Sequence, residues 1–320
     1  MSIISKDISK AVALLNNEEL VAIPTETVYG LAGNIYSKAA ITSIFATKQR
    51  PLFNPLIVHI PSIHQLDTIV SAIPEKATQL ARAFWPGSLT LVLPKKDTIP
   101  DIITASKTTV AVRVPNHPVT LELLKQLEFP LAAPSANPFN RISPTTAQHV
   151  DAYFKDAIQM VLDGGACKNG IESTIVGFEN NEPVIYRLGS ISVEDIEAVV
   201  GTITIKNKKE NNPEAPGMLD KHYAPTTPTV LSHDILETLT KYPNKRVGIL
   251  TFKEQLKNDK VTHQITVSKT GDLAEATSKL YEALHQLDHL NLDVIIAEVF
   301  PDYGLGKSIN DRLQRAAHAS

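Results

Sequence analysis

The sequence predicts an α/β (α+β) protein of two domains, a larger mixed-sheet domain followed by a smaller open-sheet α/β domain. Three observations predict this fold class. Short apolar runs alternate with helical patterns through residues 1–200, which indicates a sheet with helices packed on it. Residues 201–225 are polar and then rich in proline and glycine, without a clean period, as is typical of a linker. The alternation resumes through residues 226–320, in a pattern that favours an open parallel sheet.

The individual elements follow from apolar runs that end at proline, glycine or polar residues, and from helical periodicity. The predicted strands of the first domain are LVAIP, PLIVHI, LTLVLP, TVAVRVP, PLAAPSA, QMVLDGG, STIVGF and PVIYRLG. Those of the second are RVGILTF, HQITVS and LDVIIAEVF. Helices are predicted near residues 7–17, 38–48, 74–84, 117–127, 145–152, 192–199, 232–240, 272–289 and 306–318.

Composition excludes several functional classes. The 320 residues carry a net charge of −3, so no global basic field indicates tight nucleic-acid binding. The single cysteine, Cys167, excludes a disulfide framework within the chain and a cysteine-rich zinc site, and we expect a small buried thiol. The first residues lack the long apolar core of a secretory signal, and no run reaches membrane-spanning length. We therefore expect a cytoplasmic protein with no membrane partner.

The stretch IPTETVYGLAGN has more hydrogen-bonding capacity than a plain turn requires. Pro24 ends the preceding apolar run, and Thr25, Glu26 and Thr27 follow at once. Two glycines in the same stretch give the backbone freedom. We expect Glu26 either to hold a basic neighbour in place or to serve as a purely structural ion-pair partner.

Three further segments place polar residues at the ends of predicted strands. Lys48 and Arg50 close a helix, and they point the same way if the backbone between them is extended, which suits an anion with several oxygens. Thr109 and Arg113 share one face of a strand, where an arginine is costly unless it is paired or meets a ligand. The other polar residues of these segments are Asn54, His59, Ser135, Asn137 and Ser143.

Each of these residues also has a purely structural interpretation. Lys48 and Arg50 are favoured at a helix C-terminus by the helix dipole. His59 is compatible with a hydrogen-bonded core histidine, Asn137 with a turn residue, and Ser143 with the N-cap of a helix that starts at Pro144. Their coincidence at strand ends favours a ligand site, because ligands of α/β domains bind there.

Two motif-like segments in the second domain do not predict a site. GLGKS, residues 304–308, lacks the earlier glycine of a phosphate-binding loop, since Pro301 occupies that position, so it predicts a helix start. His285 and His289 lie four apart on a predicted helix, but no third ligand accompanies them. We expect exposed histidines there, and the sequence predicts no metal site in the protein.

The motifs and their order resemble those of the YrdC-like domain family. The residues that carry this resemblance are PTETVYGL, the Lys48-x-Arg50 pair, NPLIVHI, VAVRVP, PSAN with Ser143, ESTIV and YRLG. The linker segment APGMLDKHYAP and the domain after it resemble the two-domain form of the family, the threonylcarbamoyl-AMP synthases. The resemblance covers nearly the whole chain and is weaker in the second domain.

The resemblance implies a fold and a function. It implies a twisted mixed sheet around a concave, positively lined cavity. It also implies a nucleotidyltransferase that makes threonylcarbamoyl-adenylate and pyrophosphate from L-threonine, bicarbonate and ATP. The product would serve the threonylcarbamoyladenosine modification of tRNA through a downstream transferase machinery, with weak or indirect tRNA binding by this chain. Mg²⁺ is expected as a cofactor that arrives with ATP.

The resemblance also implies roles for single residues. Lys48 and Arg50 would be catalytic. The threonine or its carbamate would be held by Thr27, His59, Arg113, Ala133 and Ser173. ATP would be held by Arg50, Asn54, Thr109, Ser135, Asn137, Ser143 and Arg187, with His222 and Tyr223 closing over it from the linker.

Two alternatives remain open at this stage. The first is a non-catalytic module that grips double-stranded or structured RNA, which the net acidic charge disfavours. The second is a carbamoyl transfer role in hydrogenase maturation, which would need zinc-finger cysteines that this chain lacks.

Overall fold

The computed structural model describes residues 3–207, 215–216 and 222–317. Their strands form two sheets, and none of their helices is both long and apolar enough to cross a bilayer. The two sheets correspond to the two predicted domains, so the mixed α/β fold class is confirmed. Within the predicted linker the structure describes 201–207, 215–216 and 222–225, and the domain boundaries themselves stay predictions.

The first sheet has eleven strands in the described residues, in the order β1-β8-β2-β3-β7-β4-β6-β5-β9-β10-β11. It is mixed: β4 and β6 run parallel, while β5 and β6 run antiparallel. The strands are β1 (Ile3–Ser5), β2 (Val21–Ile23), β3 (Gly30–Asn34), β4 (Ile57–His59), β5 (Leu89–Pro94), β6 (Thr109–Arg113), β7 (Leu131–Ala132), β8 (Met160–Leu162), β9 (Thr174–Glu179), β10 (Glu182–Arg187) and β11 (Thr204–Ile205).

The helices of the first domain cover the sheet unevenly. They are α1 (Ile8–Asn16), α2 (Lys38–Lys48), α3 (Leu66–Ile69), α4 (Glu75–Phe84), α5 (Asp101–Thr104), α6 (Pro118–Lys125), α7 (Ala147–Phe154) and α8 (Val193–Val200). One face packs its apolar residues against α2, α4, α7 and α8. On the other face α1 and α6 cover only the end formed by β1, β8, β2, β3 and β7.

Among the described residues, no helix contributes to the apolar cluster on the rest of that second face. Ile57, Val92 and Ala111 point to this side because side chains alternate along a strand. The residue that packs on them from outside the sheet is Ala215, from the predicted linker. A concave surface therefore lies on this face of the sheet.

The second domain is a parallel sheet with helices on both faces. Its strands, in the order β12-β15-β13-β14, are β12 (Thr229–Ser232), β13 (Val247–Thr251), β14 (Val261–Thr266) and β15 (Val294–Glu298). Helices α10 (Leu273–Asp288) and α11 (Leu305–Ala317) pack on one face, and α9 (Ile235–Leu239) packs on the other. The predicted open parallel sheet is confirmed, and α11 begins immediately after Gly304, as GLGKS predicts.

Some elements were not predicted. The strands β1, β11 and β12 are short, and β11 pairs with β10 from within the predicted linker. Residues 30–34 were expected to be a flexible segment that follows a strand, because they contain two glycines. In the structure they form a strand of their own, β3. Gly30 is needed there for close packing, because an added Cβ would lie 3.1 Å from the Cβ of Ala133.

Candidate active site

A cavity lies on the concave face of the first sheet, at the ends of several of its strands. It encloses about 550 Å³ of atom-free space, open solvent included. The walls come from the connection between β2 and β3, from β4, from the end of β6, and from the segments that precede β9 and end β10. Pro216, His222 and Tyr223 of the predicted linker close it from outside the sheet.

One side of the cavity, which we call the compensated side, contains a buried arginine paired with a carboxylate. Arg113 lies 2.7 Å from Glu26 and donates hydrogen bonds to the hydroxyl of Thr27 (3.0 Å) and the carbonyl of Gly87 (3.1 Å). Burial by itself raises the pKa of Glu26, but Arg113 beside it outweighs burial and holds this pKa below its usual value. Glu26 and Arg113 therefore form a buried ion pair, which is compatible with both roles expected for Glu26.

Neutral hydrogen-bonding groups complete the compensated side. The hydroxyl of Thr25 lies 2.8 Å from that of Thr27 and donates to the carbonyl of Val28. Burial, and next Arg113, lowers the pKa of His59 to about 3, so its imidazole is neutral. Its Nδ1 lies 3.2 Å from the carbonyl oxygen of Ile57, which only accepts, so Nδ1 carries the proton and Nε2 is left as an acceptor.

The opposite side, which we call the cationic side, consists of Arg50 and Arg187 on the cavity wall and of Lys48, which bonds the wall residue Ser135. All three are buried cations whose described hydrogen-bond partners are neutral. Arg50 donates to the carbonyls of Asn54 (3.2 Å) and Pro55 (2.8 Å). Arg187 donates to the carbonyl of Ser173 (2.9 Å), its hydroxyl (3.0 Å) and the carbonyl of Pro216 (3.2 Å).

Lys48 is the third cation of this group. Its ammonium donates to the carbonyls of Ser135 (2.6 Å) and Asn137, and only 1% of the residue is exposed. Burial, and next Arg50, lowers its pKa well below the usual value. Burial, and next Arg187, likewise lowers the pKa of Arg50. Within the described residues none of the three cations has a carboxylate within ion-pair distance, so the cationic side suits a polyanion.

The linker residues His222 and Tyr223 are buried against the cationic side. Burial, and next Arg50 and Lys48, lowers the pKa of His222 far below its usual value, so this imidazole is also neutral. Its Nδ1 is buried and has no hydrogen-bond partner in the described residues. Such a group is available to a ligand in the cavity.

Glu172 lines the cavity just before β9 and is bonded by residues of both domains. Ser143 donates to it from the first domain (2.6 Å), while Tyr281 (2.9 Å) and Arg312 (2.9 Å) donate from the second. Burial by itself raises the pKa of Glu172, but Arg312 and next Arg187 hold it below its usual value. The carboxylate is therefore charged and fully engaged.

The structure brings ten of the fifteen predicted site residues to the cavity wall. These are Thr27, Arg50, His59, Arg113, Ala133, Ser135, Ser173, Arg187, His222 and Tyr223. The other five, Lys48, Asn54, Thr109, Asn137 and Ser143, are not on this wall. Of these, Asn54 is fully buried, and both polar atoms of its side chain are without a hydrogen-bond partner in the described residues.

Four local expectations were wrong. The backbone between Lys48 and Arg50 is not extended, because Gln49 adopts the left-handed conformation with φ 52°. No helix starts at Pro144: Thr146 caps α7, and Ser143 instead bonds Glu172. The amide nitrogen of Asn137 is not available as a donor, because it bonds the carbonyls of Pro138 and Arg141.

The fourth concerns the second domain. His285 is buried rather than exposed, and its ring stacks on that of His149 with centroids 3.9 Å apart. His289 is exposed, as expected. In the described part of the chain no group of three or more His, Cys, Asp or Glu side chains is placed to hold a metal ion. Cys167 is the small buried thiol that was expected, and burial raises its pKa to about 12.

Sequence reasoning missed Glu172 on the cavity wall and the two residues of the second domain that donate to it, Tyr281 and Arg312. An acidic residue directly before Ser173 was a usable signal for Glu172. Tyr281 and Arg312 gave none, because each belongs to an ordinary amphipathic helical pattern. Arg141, which had no assigned role, lies 3.4 Å from Asp288 and so connects the two domains.

Comparisons with known proteins agree with this architecture. A family model described as "Telomere recombination" matches residues 13–189, which hold most of the cavity. A second, described as "Threonylcarbamoyl-AMP synthase, C-terminal domain", matches residues 191–318. The fold and site thus define a two-domain protein with a YrdC-like first domain. The chain belongs to the threonylcarbamoyl-AMP synthase family.

Similar proteins cover almost the full chain. The threonylcarbamoyl-AMP synthase of Bacillus subtilis is 42% identical, over 97% of this chain and 92% of its own length. That of Pyrococcus abyssi is 39% identical, over 96% and 93%. The crystal structure of P. abyssi Sua5 complexed with L-threonine superposes with a TM-score of 0.93 at 37% identity, covering 99% of this chain and 98% of that one.

Proposed function

We propose that this protein synthesises threonylcarbamoyl-AMP and pyrophosphate from L-threonine, bicarbonate and ATP, as a nucleotidyltransferase. The observation that carries the proposal is one cavity with two electrostatically different sides. The compensated side suits a small zwitterion with a hydroxyl, and the cationic side suits a triphosphate. The names of the full-length relatives, and the complex of P. abyssi Sua5 with L-threonine, support the same assignment.

L-Threonine binds on the compensated side in this proposal. The guanidinium of Arg113, fixed by Glu26, faces the amino-acid carboxylate or the carbamate. The free Nε2 of His59 accepts a hydrogen bond from the substrate, and Thr27 and Ser173 offer hydroxyls. Ala133 contributes a small apolar wall next to Gly30, which leaves room for the threonine methyl group.

ATP binds on the cationic side. Arg50 and Arg187 face its phosphates, with Ser135 and the imidazole of His222 as neutral partners. Asn54 and Asn137 have buried polar atoms that a nucleotide would satisfy after small movements. Lys48 adds positive potential from behind Ser135 and reaches a phosphate directly only by giving up a carbonyl bond. We assign Thr109 no direct contact.

The reaction then needs positioning and charge stabilisation more than covalent help. The threonine amine attacks the carbon of bicarbonate, a C–N bond forms and water leaves, which gives the carbamate. A carbamate oxygen attacks the α-phosphorus of ATP, and the bond to the bridging oxygen breaks so that pyrophosphate departs. Arg50 and Arg187 stabilise the charge that develops on the phosphates. Tyr223 and His222 cover the cavity and limit hydrolysis of the adenylate.

Magnesium enters as part of the substrate, Mg·ATP. Glu172, which lines the cavity, and Glu26, which lies against the wall residue Arg113, are each bonded to an arginine. Neither is available as a metal ligand, so the donor set does not fit a resident magnesium ion.

The product implies a downstream partner. A labile adenylate must pass to a transferase that modifies tRNA, so we place this chain before that step, in the cytoplasm. The RNA-binding alternative is not favoured, because the basic groups are buried in a cavity rather than spread over a surface.

Pyrophosphate release tests the proposal. The purified protein with Mg·ATP is expected to release pyrophosphate only when L-threonine and bicarbonate are both present. L-Alanine is the matched control, since it lacks the hydroxyl and one methyl group. Equal release with alanine, or none with threonine, contradicts the proposed substrate.

A further inference from the structure

Glu172 lines the cavity and also contacts the second domain. It lies on the cavity wall directly before Ser173, and it is 5% exposed. Two of its hydrogen-bond donors, Tyr281 on α10 and Arg312 on α11, belong to the second domain. Side chains of the second domain therefore help to hold a part of the cavity wall that belongs to the first domain.

Arg312 is the most connected of these residues. It is fully buried, and its Nε donates to Glu172 at 2.9 Å. Its Nη2 donates to the carbonyl of Leu188 (2.7 Å), next to the cavity residue Arg187. Its guanidinium carbon lies 4.8 Å from the ring centroid of Tyr223, which is the distance of a cation–π contact. One side chain thus touches three segments, and each of them carries a cavity residue.

The contact with Tyr223 has a conformational consequence. Tyr223 has φ 62°, in the left-handed region that bulky residues rarely adopt. Such a conformation persists only where its surroundings hold it. The ring contacts Arg312, Tyr281 (centroids 5.9 Å apart) and His222 (4.0 Å), and it lies in the same apolar cluster as Val28 and Ile142. The second domain therefore contributes two of the contacts that hold the linker aromatic over the cationic side.

A planar guanidinium is needed for this combination. It donates in its plane to Glu172 and Leu188 while its face meets an aromatic ring. A lysine at the same position would preserve the positive charge near Glu172 but could not make the three contacts together. Arg312 itself does not line the cavity.

We propose that Arg312 is a positioning residue that couples the Glu172–Ser173 wall to Tyr223, so that L-threonine and ATP bind cooperatively. The inference rests on the proposed function, because it assigns Ser173 to threonine and Tyr223 to ATP. It also gives the second domain a role in the reaction. When L-threonine binds and restricts the motion of Ser173, the restriction passes through Glu172 and Arg312 to Tyr223. ATP that binds at Tyr223 restricts Ser173 by the same route.

Calorimetry on the full chain tests the coupling. The dissociation constant of L-threonine is measured with and without saturating non-hydrolysable ATP analogue with Mg²⁺. For the wild type the analogue is expected to tighten threonine binding about tenfold, within the usual range of coupling between sites. For Arg312→Lys the ratio is expected to fall to about one, while the affinity for each ligand alone changes by less than about threefold.

Two further variants keep the test decisive. Lys307→Ala removes another ion pair between α11 and the first domain, with Glu194 (2.9 Å). Neither residue hydrogen-bonds the Glu172 side chain among the described contacts, so this variant is expected to keep the wild-type ratio. Tyr281→Phe removes a single hydroxyl donor to Glu172 and is expected to reduce the ratio of the two threonine dissociation constants partially. This variant tests the coupling if Arg312→Lys does not fold.

The outcomes separate the two proposals. A wild-type ratio of one, a wild-type ratio in Arg312→Lys, or an equal loss in Lys307→Ala overturns the coupling role. If the wild type neither binds L-threonine nor releases pyrophosphate, the proposed function fails instead.

Discussion

The two sides of the cavity differ in how their buried charges are balanced. On the compensated side, Arg113 lies 2.7 Å from Glu26. On the cationic side, Lys48, Arg50 and Arg187 donate only to carbonyls and a hydroxyl within the described residues. A buried charge without a counterion is unfavourable for folding, and a protein retains such groups where a ligand supplies the opposite charge.

This difference indicates which substrate each side binds. A zwitterion brings no net charge, so its side can be balanced before binding. A triphosphate brings several negative charges, so its side remains unbalanced until the ligand arrives. The same contrast predicts different responses to substitution. Replacing a charged residue of the compensated side should mainly lower the free energy of unfolding, whereas replacing a cation of the cationic side should mainly lower the activity.

The largest expected effect comes from removing the anion of the compensated side. Glu26→Gln leaves Arg113 buried without a carboxylate and is expected to lower the free energy of unfolding by about 3–5 kcal/mol. Urea denaturation measures this. The matched control is Glu179→Gln, which breaks the exposed pair with Lys206 and is expected to cost at most about 1 kcal/mol. Similar losses in both variants would contradict the contrast between the two environments.

Removing one cation of the cationic side is expected to affect the reaction instead. Arg50→Ala should lose about 2–4 kcal/mol of transition-state stabilisation, which is about a 30- to 1000-fold fall in kcat/KM. Circular dichroism should show a folded protein. Lys241→Ala, on the surface of the second domain, is the control and should leave the rate unchanged. A folded Arg50 variant with full activity would exclude the phosphate role.

The pH dependence of ATP binding sharpens the comparison. Burial lowers the pKa of Lys48 in the free protein, and a bound polyanion favours its protonated form. Below the lowered pKa, binding takes up no proton on Lys48. Above it, binding requires proton uptake, so affinity should fall by up to about tenfold per pH unit. Calorimetric titration from pH 7 upward measures this slope, and Lys48→Met should reduce it. An equal slope in wild type and variant would assign the titration to another group.

The smallest expected effect lies outside both sides, in the contact between the domains. Burial, and next His149, lowers the pKa of His285 to about 3, against 6.5 in an unfolded chain. Glu282, Asp288, His289 and Tyr153 also face this stacked pair. Between pH 6.5 and 3 the unfolded state therefore binds more protons on His285 than the folded state does, so stability falls as pH falls.

His285→Gln tests whether His285 causes this loss of stability at low pH. From pH 7 to pH 5 it should lose less stability than the wild type, by about 2 kcal/mol. Chemical denaturation at the two pH values measures the difference. His64→Gln, at an exposed position of the first domain, should behave like the wild type. An unchanged pH slope in His285→Gln would mean that His285 takes up a proton in the folded protein.

Much of the fold and of the cavity could be predicted from the sequence, for identifiable reasons. Apolar alternation located β6, and the energetic cost of an arginine within it predicted that Arg113 is either paired or meets a ligand. The structure shows a pair with Glu26. The left-handed Gln49 could not be predicted, because glutamine rarely adopts that conformation. Nor could the buried role of His285, since its partner His149 lies in the other domain.

Arg312 illustrates the limit most clearly. In the sequence it is one of several charged residues on an amphipathic helix, where arginine usually faces solvent. Its burial depends on three segments that are distant in sequence and meet only in the folded chain. Contacts of that kind follow from tertiary packing rather than from local pattern.

The difference in charge balance between the two sides is measured most directly by the unfolding of two matched variants without ligands. Both Arg113→Met and Arg50→Met replace a buried guanidinium by an apolar chain of similar length. We expect Arg113→Met to lose about 3–5 kcal/mol, because Glu26 is left unpaired, while Arg50→Met is as stable as the wild type or more stable. If Arg50→Met were destabilised as much as Arg113→Met, the cationic side would be balanced in the free protein, and the contrast between the two sides would be wrong.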